Sequence, residues 1–151
     1  MRLRVYQSNK GDCLLVSGKA GGHILVDGGM RKAFQDHVRA DLGKLAANKK
    51  ALDLVYVSHI DQDHISGVLE LLDSVMGWRV YEFRKKQGAK VKAPTFPKMP
   101  VIKEIWHNAF SDLLKENAGP VDRLLAQSSV VLGLSSNPKL TAMASRKHAV
   151  A

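Results

Sequence analysis

The sequence predicts an α/β fold in which one mixed or antiparallel β-sheet packs against helices, and three observations support it. Short apolar or alternating runs separated by glycine-rich turns occupy the first 30 positions, as expected for strands joined by tight turns. Apolar residues at three- and four-residue steps follow, as in an amphipathic helix. A buried strand and a second helical pattern complete the order, which is typical of a sheet covered by helices.

The composition limits the class of protein. A chain of 151 residues is long enough for about one domain, and 45% hydrophobic residues argue against disorder. No apolar run approaches the roughly 20 residues needed to span a bilayer, so no membrane association is expected. The single cysteine, Cys13, excludes an internal disulfide framework and fits a cytoplasmic, reducing environment, where we expect it to be buried and inert.

The first half of the chain gives the clearest elements. Residues 2–6, 13–16 and 23–26 are predicted as three strands of an antiparallel meander, because tight turns join them. A helix should span about 30–50 and end among lysines, which suit the negative end of a helix. Residues 52–57, which are rich in β-branched and aromatic side chains, should form a buried strand.

The second half of the chain is less regular, and the pattern weakens after Gly77. The elements predicted there are a helix from about 65 to 76, a strand over 78–83, a lysine- and proline-rich loop over 84–100, a strand over 101–106, and short helices over 111–117 and 122–132. We expect residues 1–134 to form the domain and residues 135–151, which are small and polar, to be a poorly structured tail.

Four side chains of metal-ligand type stand within six residues, between the buried strand and the second helix. They are His59, Asp61, Asp63 and His64. Imidazole nitrogen and carboxylate oxygen bind zinc, manganese or iron, and an extended loop lets positions 59, 61 and 63 point the same way. Gly67 would allow a close backbone approach at the first helical turn. The alternative is structural, with Asp61 or Asp63 capping the helix and His59 on the surface.

The run Ser58-His59-Ile60-Asp61-Gln62-Asp63-His64-Ile65-Ser66-Gly67 resembles the His-x-His-x-Asp-His signature of the metallo-β-lactamase superfamily, with Asp61 in place of the second His. This variant is similar to the branch that includes the C-terminal domain of ComEC-like DNA-uptake proteins. The segments 11–15, 24–29 and 105–108 also resemble that branch. The resemblance implies a partial αββα sandwich, of which this chain carries the N-terminal half, and a metal-dependent hydrolase.

The resemblance also implies roles for individual residues. His59 and Asp61 would bind one divalent ion, and Asp63 and His64 the second. The ions would be zinc or manganese, although this half-site could hold one or none, and the Asp61 oxygen favours manganese. Asp63 would be catalytic by orienting the attacking hydroxide. Asp27 would hold the loop over residues 59–64, the metal loop, through hydrogen bonds, or would simply be a turn residue.

The remaining ligands of such a site come from the second half of the fold. His107, at a predicted strand end, and His148, in the predicted tail, are the candidates here, with a surface or core role as the alternative. The chain therefore resembles a truncated or split hydrolase with an incomplete active site. His23 and His37 are interpreted as ordinary surface or packing residues.

The charge is strongly basic and unevenly distributed. Lys and Arg number 23 against 14 Asp and Glu, a net charge of +9, and six cations without an acid lie between positions 84 and 98. Such a stretch could bind phosphates, or could be a solvated loop without a partner. The candidate basic substrate contacts are Arg84, Lys85, Lys86, Lys90 and Lys92.

Three functions remain open. The first is a metal-dependent hydrolase acting on phosphodiester or nucleic-acid substrates. The second is a catalytically inactive half-domain that needs a dimer partner or a second chain, since an open sheet edge favours association. The third is a basic nucleic-acid-binding module, whose affinity would fall as the salt concentration rises.

Overall fold

A computed structural model of the chain describes residues 1–107, in which five strands form one mixed sheet packed against helices. The strands are β1 (Arg2–Val5), β2 (Leu14–Ser17), β3 (His23–Val26), β4 (Leu52–Val57) and β5 (Ile102–His107). The helices are α1 (Arg31–Ala33), a π-helical segment (Phe34–Val38), α2 (Arg39–Ala47) and α3 (Gln62–Lys86). The predicted α/β class, with one sheet on helices, is confirmed.

The direction of the strands determines where the site can lie. The sheet order is β1-β2-β3-β4-β5; the first three strands pair antiparallel, as predicted, and β3, β4 and β5 pair parallel. Parallel neighbours require a crossover connection, which α1, α2 and α3 supply. The carboxyl ends of β3, β4 and β5 consequently meet at one edge of the sheet.

The core forms where the sheet meets the helices. Leu15, Leu25 and Val55 are aligned partners across β2, β3 and β4, and all three are buried. Phe34 and Leu72, from the helical layer, belong to the same buried cluster. Burying each such side chain contributes about 1.5–3 kcal/mol, so this cluster fixes the sheet against the helices.

The strand predicted over residues 78–83 is wrong, because these residues lie inside the 25-residue helix α3. Gly77 does not end the helix; a Cβ atom built there would lie 3.1 Å from Cζ of Phe96, so glycine allows the ring to pack closely. The indole Nε1 of Trp78 donates a hydrogen bond to the Phe96 carbonyl at 3.1 Å. Tertiary packing thus overrides the strand propensity of this segment.

An ion-pair cluster joins the helices to one another. The carboxylate of Glu70 on α3 is buried and pairs with Arg39 on α2 and with Arg31 on α1, the latter at 3.0 Å. The guanidinium of Arg39 also lies 5.1 Å from the centroid of the Phe96 ring, a cation–π contact. Glu70 therefore links three helical segments through one carboxylate.

Several predictions fall outside the described residues. They are the helices over 111–117 and 122–132, the domain boundary at 134, the tail over 135–151, and His148. Within residues 1–107, no helix combines the length and the apolar character that crossing a membrane requires.

Candidate metal centre

Asp27 organises the end of the sheet where the metal loop begins. It follows β3 with a left-handed backbone (φ 54°) and is 2% exposed. Its Oδ1 accepts a hydrogen bond from the Ser58 backbone N–H at 2.7 Å, and its Oδ2 accepts one from the Ser58 hydroxyl at 2.6 Å. The same Oδ2 lies 3.1 Å from Nδ1 of His64. One buried carboxylate thus fixes both ends of the loop between β4 and α3.

Glycines bring the surrounding backbone close to this loop. A Cβ atom on Gly67 would lie 2.0 Å from the carbonyl oxygen of Gly28, so the first turn of α3 lies directly on the turn after β3. A Cβ atom on Gly11 (φ 65°) would lie 2.0 Å from the carbonyl oxygen of Asp63. No side chain fits at either contact, which confirms the expectation that Gly67 serves a close approach.

The structure brings His59, Asp63 and His64 together. One ligand atom from each lies within 4.8 Å of the others. The two imidazole rings have centroids 3.7 Å apart and are tilted by 44°, and His64 Nε2 lies 3.7 Å from Asp63 Oδ2. Both Nδ1 atoms are engaged, that of His59 with the Ser58 hydroxyl at 2.9 Å and that of His64 with Asp27. Both Nε2 atoms therefore remain available to a metal ion.

Asp61 lies at the rim of this group. Its side chain is 75% exposed, and its Oδ2 lies 3.7 Å from Nε2 of His59. It occupies the N-cap position of α3, yet it makes no side-chain capping hydrogen bond. The capping alternative therefore lacks its hydrogen bond at Asp61, while ligation by this carboxylate remains a prediction.

The three grouped side chains fit a divalent ion. Zinc lies about 2.0–2.2 Å from nitrogen or oxygen ligands in tetrahedral geometry, so two ligand atoms on one ion are roughly 3.4 Å apart. The 3.7 Å separation between His64 Nε2 and Asp63 Oδ2 is close to this value, and a separation of 4.8 Å within the group would have to contract by about 1.4 Å. The contact between Asp27 and His64 also matches the carboxylate–histidine–metal arrangement that sets the tautomer of a ligand.

His107 lies next to this group in the sheet. It ends β5 and is the parallel partner of Val57, the residue just before Ser58. Its Nδ1 is buried and has no hydrogen-bond partner in the described part of the chain. Buried polar atoms without a partner are uncommon and call for an explanation. The structure thus places His107 beside the metal loop, and its role as a ligand stays a prediction.

The predicted basic contacts lie far from the metal cluster, the name used for the three grouped side chains of His59, Asp63 and His64. Arg84, Lys85 and Lys86 form the last turn of α3, whereas Asp63 lies in its first turn. Twenty-one residues at about 1.5 Å per residue place Arg84 roughly 32 Å from Asp63. Lys90 and Lys92 follow the helix and are exposed. Only a long substrate could contact both ends of α3.

A basic cavity lies beside the first turn of α3. Its volume is about 750 Å³, and Gln62 and Ser66 of α3 form part of its wall. The cations that line it are Lys10, Arg31 and Lys32. Sequence reasoning missed these three residues, because they come from separate segments with no shared pattern. It also missed Ser58, whose position directly before His59 was the only available signal.

The remaining candidates have structural roles. Cys13 is 1% exposed, which confirms that it is buried. Burial raises the pKa of its thiol to about 12, which favours the inert role that stays a prediction. His23 is buried and lies 2.9 Å from the Ser17 hydroxyl through Nδ1. His37 is exposed. Packing and surface positions were expected for these two histidines.

Comparison with known proteins gives a partial match. Residues 9–76 match the sequence model of the metallo-beta-lactamase superfamily, a stretch that includes Asp27 and the whole metal loop. Among solved structures, the chain is similar to metallo-beta-lactamase SMB-1, determined with bound 2-mercaptoethanesulfonate. The identity is 18%, the TM-score is 0.29, and the match covers 65% of this chain and 40% of that one. The chain thus spans less than half of that lactamase. A search of curated proteins gave no significant match.

Proposed function

We propose that this chain is a metal-dependent hydrolase of the metallo-β-lactamase superfamily, and that His59, Asp63 and His64 bind the metal. The convergence of their ligand atoms within 4.8 Å carries the proposal. The superfamily match over residues 9–76 supports it independently of the geometry. A free, buried thiol at Cys13 also agrees with the cytosolic location proposed for the enzyme.

Each residue of the group has a separate task. A divalent ion bound here supplies a Lewis acid that activates water and stabilises charge developing on the scissile group. Asp63, whose side chain is 36% exposed, would accept a hydrogen bond from the attacking water and orient it. Asp27 holds His64 and, through Ser58, the position of His59. These contacts orient the reacting groups before substrate arrives.

The number and identity of the ions depend on Asp61 and His107. If both join the group, five side chains would offer donors, whereas the complete arrangement implied by the resemblance to the superfamily needs further ligands from the second half of the fold. An oxygen donor at position 61 favours manganese over zinc relative to a nitrogen donor. Titration of zinc and of manganese into Asp61→His should therefore show a shift towards zinc, and His107→Ala should weaken binding of either metal. Unchanged affinities in both variants would confine the site to His59, Asp63 and His64.

The test of the hydrolase proposal combines metal analysis with an assay. We expect the purified protein to contain or bind a divalent metal and to hydrolyse bis-p-nitrophenyl phosphate. Asp63→Asn should lower the rate by about 10²-fold or more, the range of a lost general acid–base group. Glu82→Gln removes the same charge near the other end of α3 and should leave the rate unchanged. A protein that binds no metal, or an Asp63→Asn variant with full activity, would contradict the proposal.

A phosphodiester substrate is the class that the charge of the chain favours. The net charge is +9, and the cavity beside the first turn of α3 carries three cations, of which Arg31 and Lys32 also pair with acidic side chains. A small diester could occupy that cavity. Arg84–Lys86 lie roughly 32 Å from Asp63 along α3, a distance close to the length of one turn of B-form duplex. We therefore propose that these distant cations bind the backbone of a nucleic-acid substrate rather than the reacting diester.

Two substrates separate these roles. Reversing the charges at Arg84, Lys85 and Lys86 should leave hydrolysis of bis-p-nitrophenyl phosphate unchanged. The same variant should weaken single-stranded DNA binding and reduce its salt dependence by about one unit of slope per lost phosphate contact. Reversing Lys10 and Lys32 should impair both substrates. If the Arg84–Lys86 variant impaired both substrates equally, the proposal that these cations bind only the nucleic-acid backbone would be refuted.

A second candidate is a half-domain that needs a second copy of the chain. The observation that favours it is apolar surface on the sheet: Leu3, Val5 and Trp106 are 56%, 68% and 57% exposed. These residues lie on β1 and β5, the two edge strands of the described sheet, and open edges favour pairing between chains. Light scattering should then show a dimer that Trp106→Lys dissociates. An active monomer would contradict this candidate.

A further inference from the structure

A second cavity lies at the opposite end of the sheet from the metal cluster. It has a volume of about 560 Å³, and residues of β1, β2 and the last turns of α2 form its wall. His23, at the start of β3, lines it, whereas Asp27 directly follows the end of the same strand. At about 3.3 Å per residue, roughly 13 Å of strand separates the two positions. The cavity is therefore distinct from the metal centre.

The wall of this cavity is strongly cationic. It contains five basic side chains and one acidic side chain, which leaves an excess of four positive charges. The acid is Asp41, which pairs with Arg4 and, at 3.0 Å, with Lys44. The other cations make no ion pair within residues 1–107, and they are Arg2, Lys19 and Lys50. Like charges gathered around one space repel each other unless an anion lies among them.

His23 supplies a second, independent observation. The residue is 5% exposed, and its Nδ1 lies 2.9 Å from the Ser17 hydroxyl. Its Nε2 is buried and has no hydrogen-bond partner in the described part of the chain. In the tautomer in which Ser17 donates to Nδ1, Nε2 carries the proton and can donate to an acceptor. A buried donor without an acceptor, in the wall of a cationic cavity, points to an anionic ligand.

We propose that this cavity binds a phosphorylated small molecule, with its phosphate held by Arg2, Lys19 and Lys50 and by the Nε2–H of His23. A phosphate group carries more negative charge than a single carboxylate and so matches the excess charge better. The volume lies within the range of small-molecule sites and exceeds that of a phosphate alone, which leaves room for an organic part. Binding is non-covalent and does not involve the metal cluster.

The test is a phosphate titration of the full chain at constant ionic strength, with chloride as the reference anion. We expect inorganic phosphate to bind one site and to raise the melting temperature above the value in chloride. The affinity should be unchanged by EDTA, because the site lies away from the metal centre. The double variant Lys19→Ala and Lys50→Ala should weaken binding at least tenfold. Lys98→Ala with Lys103→Ala removes the same charge from exposed positions outside the cavity and should change the affinity less than twofold.

The contribution of His23 is measured separately. His23→Gln should weaken phosphate binding severalfold while circular dichroism shows an intact fold, and the two lysine pairs decide the proposal if this variant does not fold. Three results would each overturn the proposal. They are an equal loss of phosphate affinity in both lysine double variants, a loss of phosphate binding when EDTA is added, and no binding beyond that seen in chloride. A site that takes a single-stranded oligonucleotide but not inorganic phosphate would also overturn it in favour of a nucleic-acid surface.

Discussion

Replacing Gly67 with alanine should destabilise the fold and weaken metal binding together. The added Cβ atom would lie 2.0 Å from the Gly28 carbonyl oxygen, so the start of α3 and the turn after β3 must separate by roughly an ångström or more. Two backbone hydrogen bonds cross this contact, from Gly28 N to the His64 carbonyl and from Gly67 N to the Gly29 carbonyl, both at 2.9 Å. Such a displacement lengthens both beyond hydrogen-bond range.

The expected loss follows from those two bonds. Each contributes about 1 kcal/mol, and leaving buried groups unpaired adds to the loss, so the free energy of unfolding should fall by about 2–4 kcal/mol. At an m-value near 2 kcal/mol/M, the urea midpoint should fall by about 1–2 M. His64 moves with the same backbone, and calorimetric metal titration should therefore show a weaker affinity.

The matched control is Gly77→Ala in the same helix. Its Cβ atom would lie 3.1 Å from the edge of the Phe96 ring, which can shift, and alanine is a better helix former than glycine by up to about 1 kcal/mol. We expect this variant to be neutral or slightly stabilised, with unchanged metal affinity. A Gly67→Ala variant no less stable than Gly77→Ala would refute the close-contact reasoning.

Three further predictions concern buried polar groups. Asp27→Ala should lower metal affinity about 10–100-fold, measured by calorimetry, because His64 loses the carboxylate that orients it; wild-type affinity would contradict this role. Glu70→Ala should lower the free energy of unfolding by about 3 kcal/mol in urea, because it leaves Arg39 unpaired, whereas Asp36→Ala removes an exposed pair and should lower it by less than about 0.5 kcal/mol. Cys13 should react with a thiol reagent at pH 8 only after unfolding. Because burial raises its pKa from 9.0 to about 12, the folded state holds the proton more tightly, and stability should fall as the pH rises above 9; a rapid reaction in the folded protein would count against the burial.

The strands β1, β2 and β3 were predictable because local pattern and tertiary environment agree there. Residues 2–26 alternate or form apolar runs between turns, and the observed β1, β2 and β3 follow that pattern. The strand over 78–83 failed because its aromatic and β-branched residues favour strands locally, while contacts with Phe96 keep them helical. The sequence alone does not distinguish a glycine that ends a helix from one, such as Gly77, that lets a neighbouring aromatic ring pack closely.

The candidate site was predictable in its ligand types but not in its grouping. The spacing of positions 59–64 indicated a metal loop, yet only the folded backbone separates the exposed Asp61 from the group of His59, Asp63 and His64. The cationic cavity around His23 gave no signal in the sequence, because its residues come from separate segments that meet only across the sheet and α2. Long-range assembly of this kind leaves no local periodicity to recognise.

Helix α3 runs without interruption from the metal loop to its last turn, which contains Arg84, Lys85 and Lys86. No hinge therefore separates the metal loop from these three cations within the helix. Inserting one residue near the middle of α3 would rotate Arg84–Lys86 by about 100° and advance them by about 1.5 Å relative to the metal loop. The length of α3 would thus set the angular position of these cations relative to His59, Asp63 and His64 for the proposed nucleic-acid substrate.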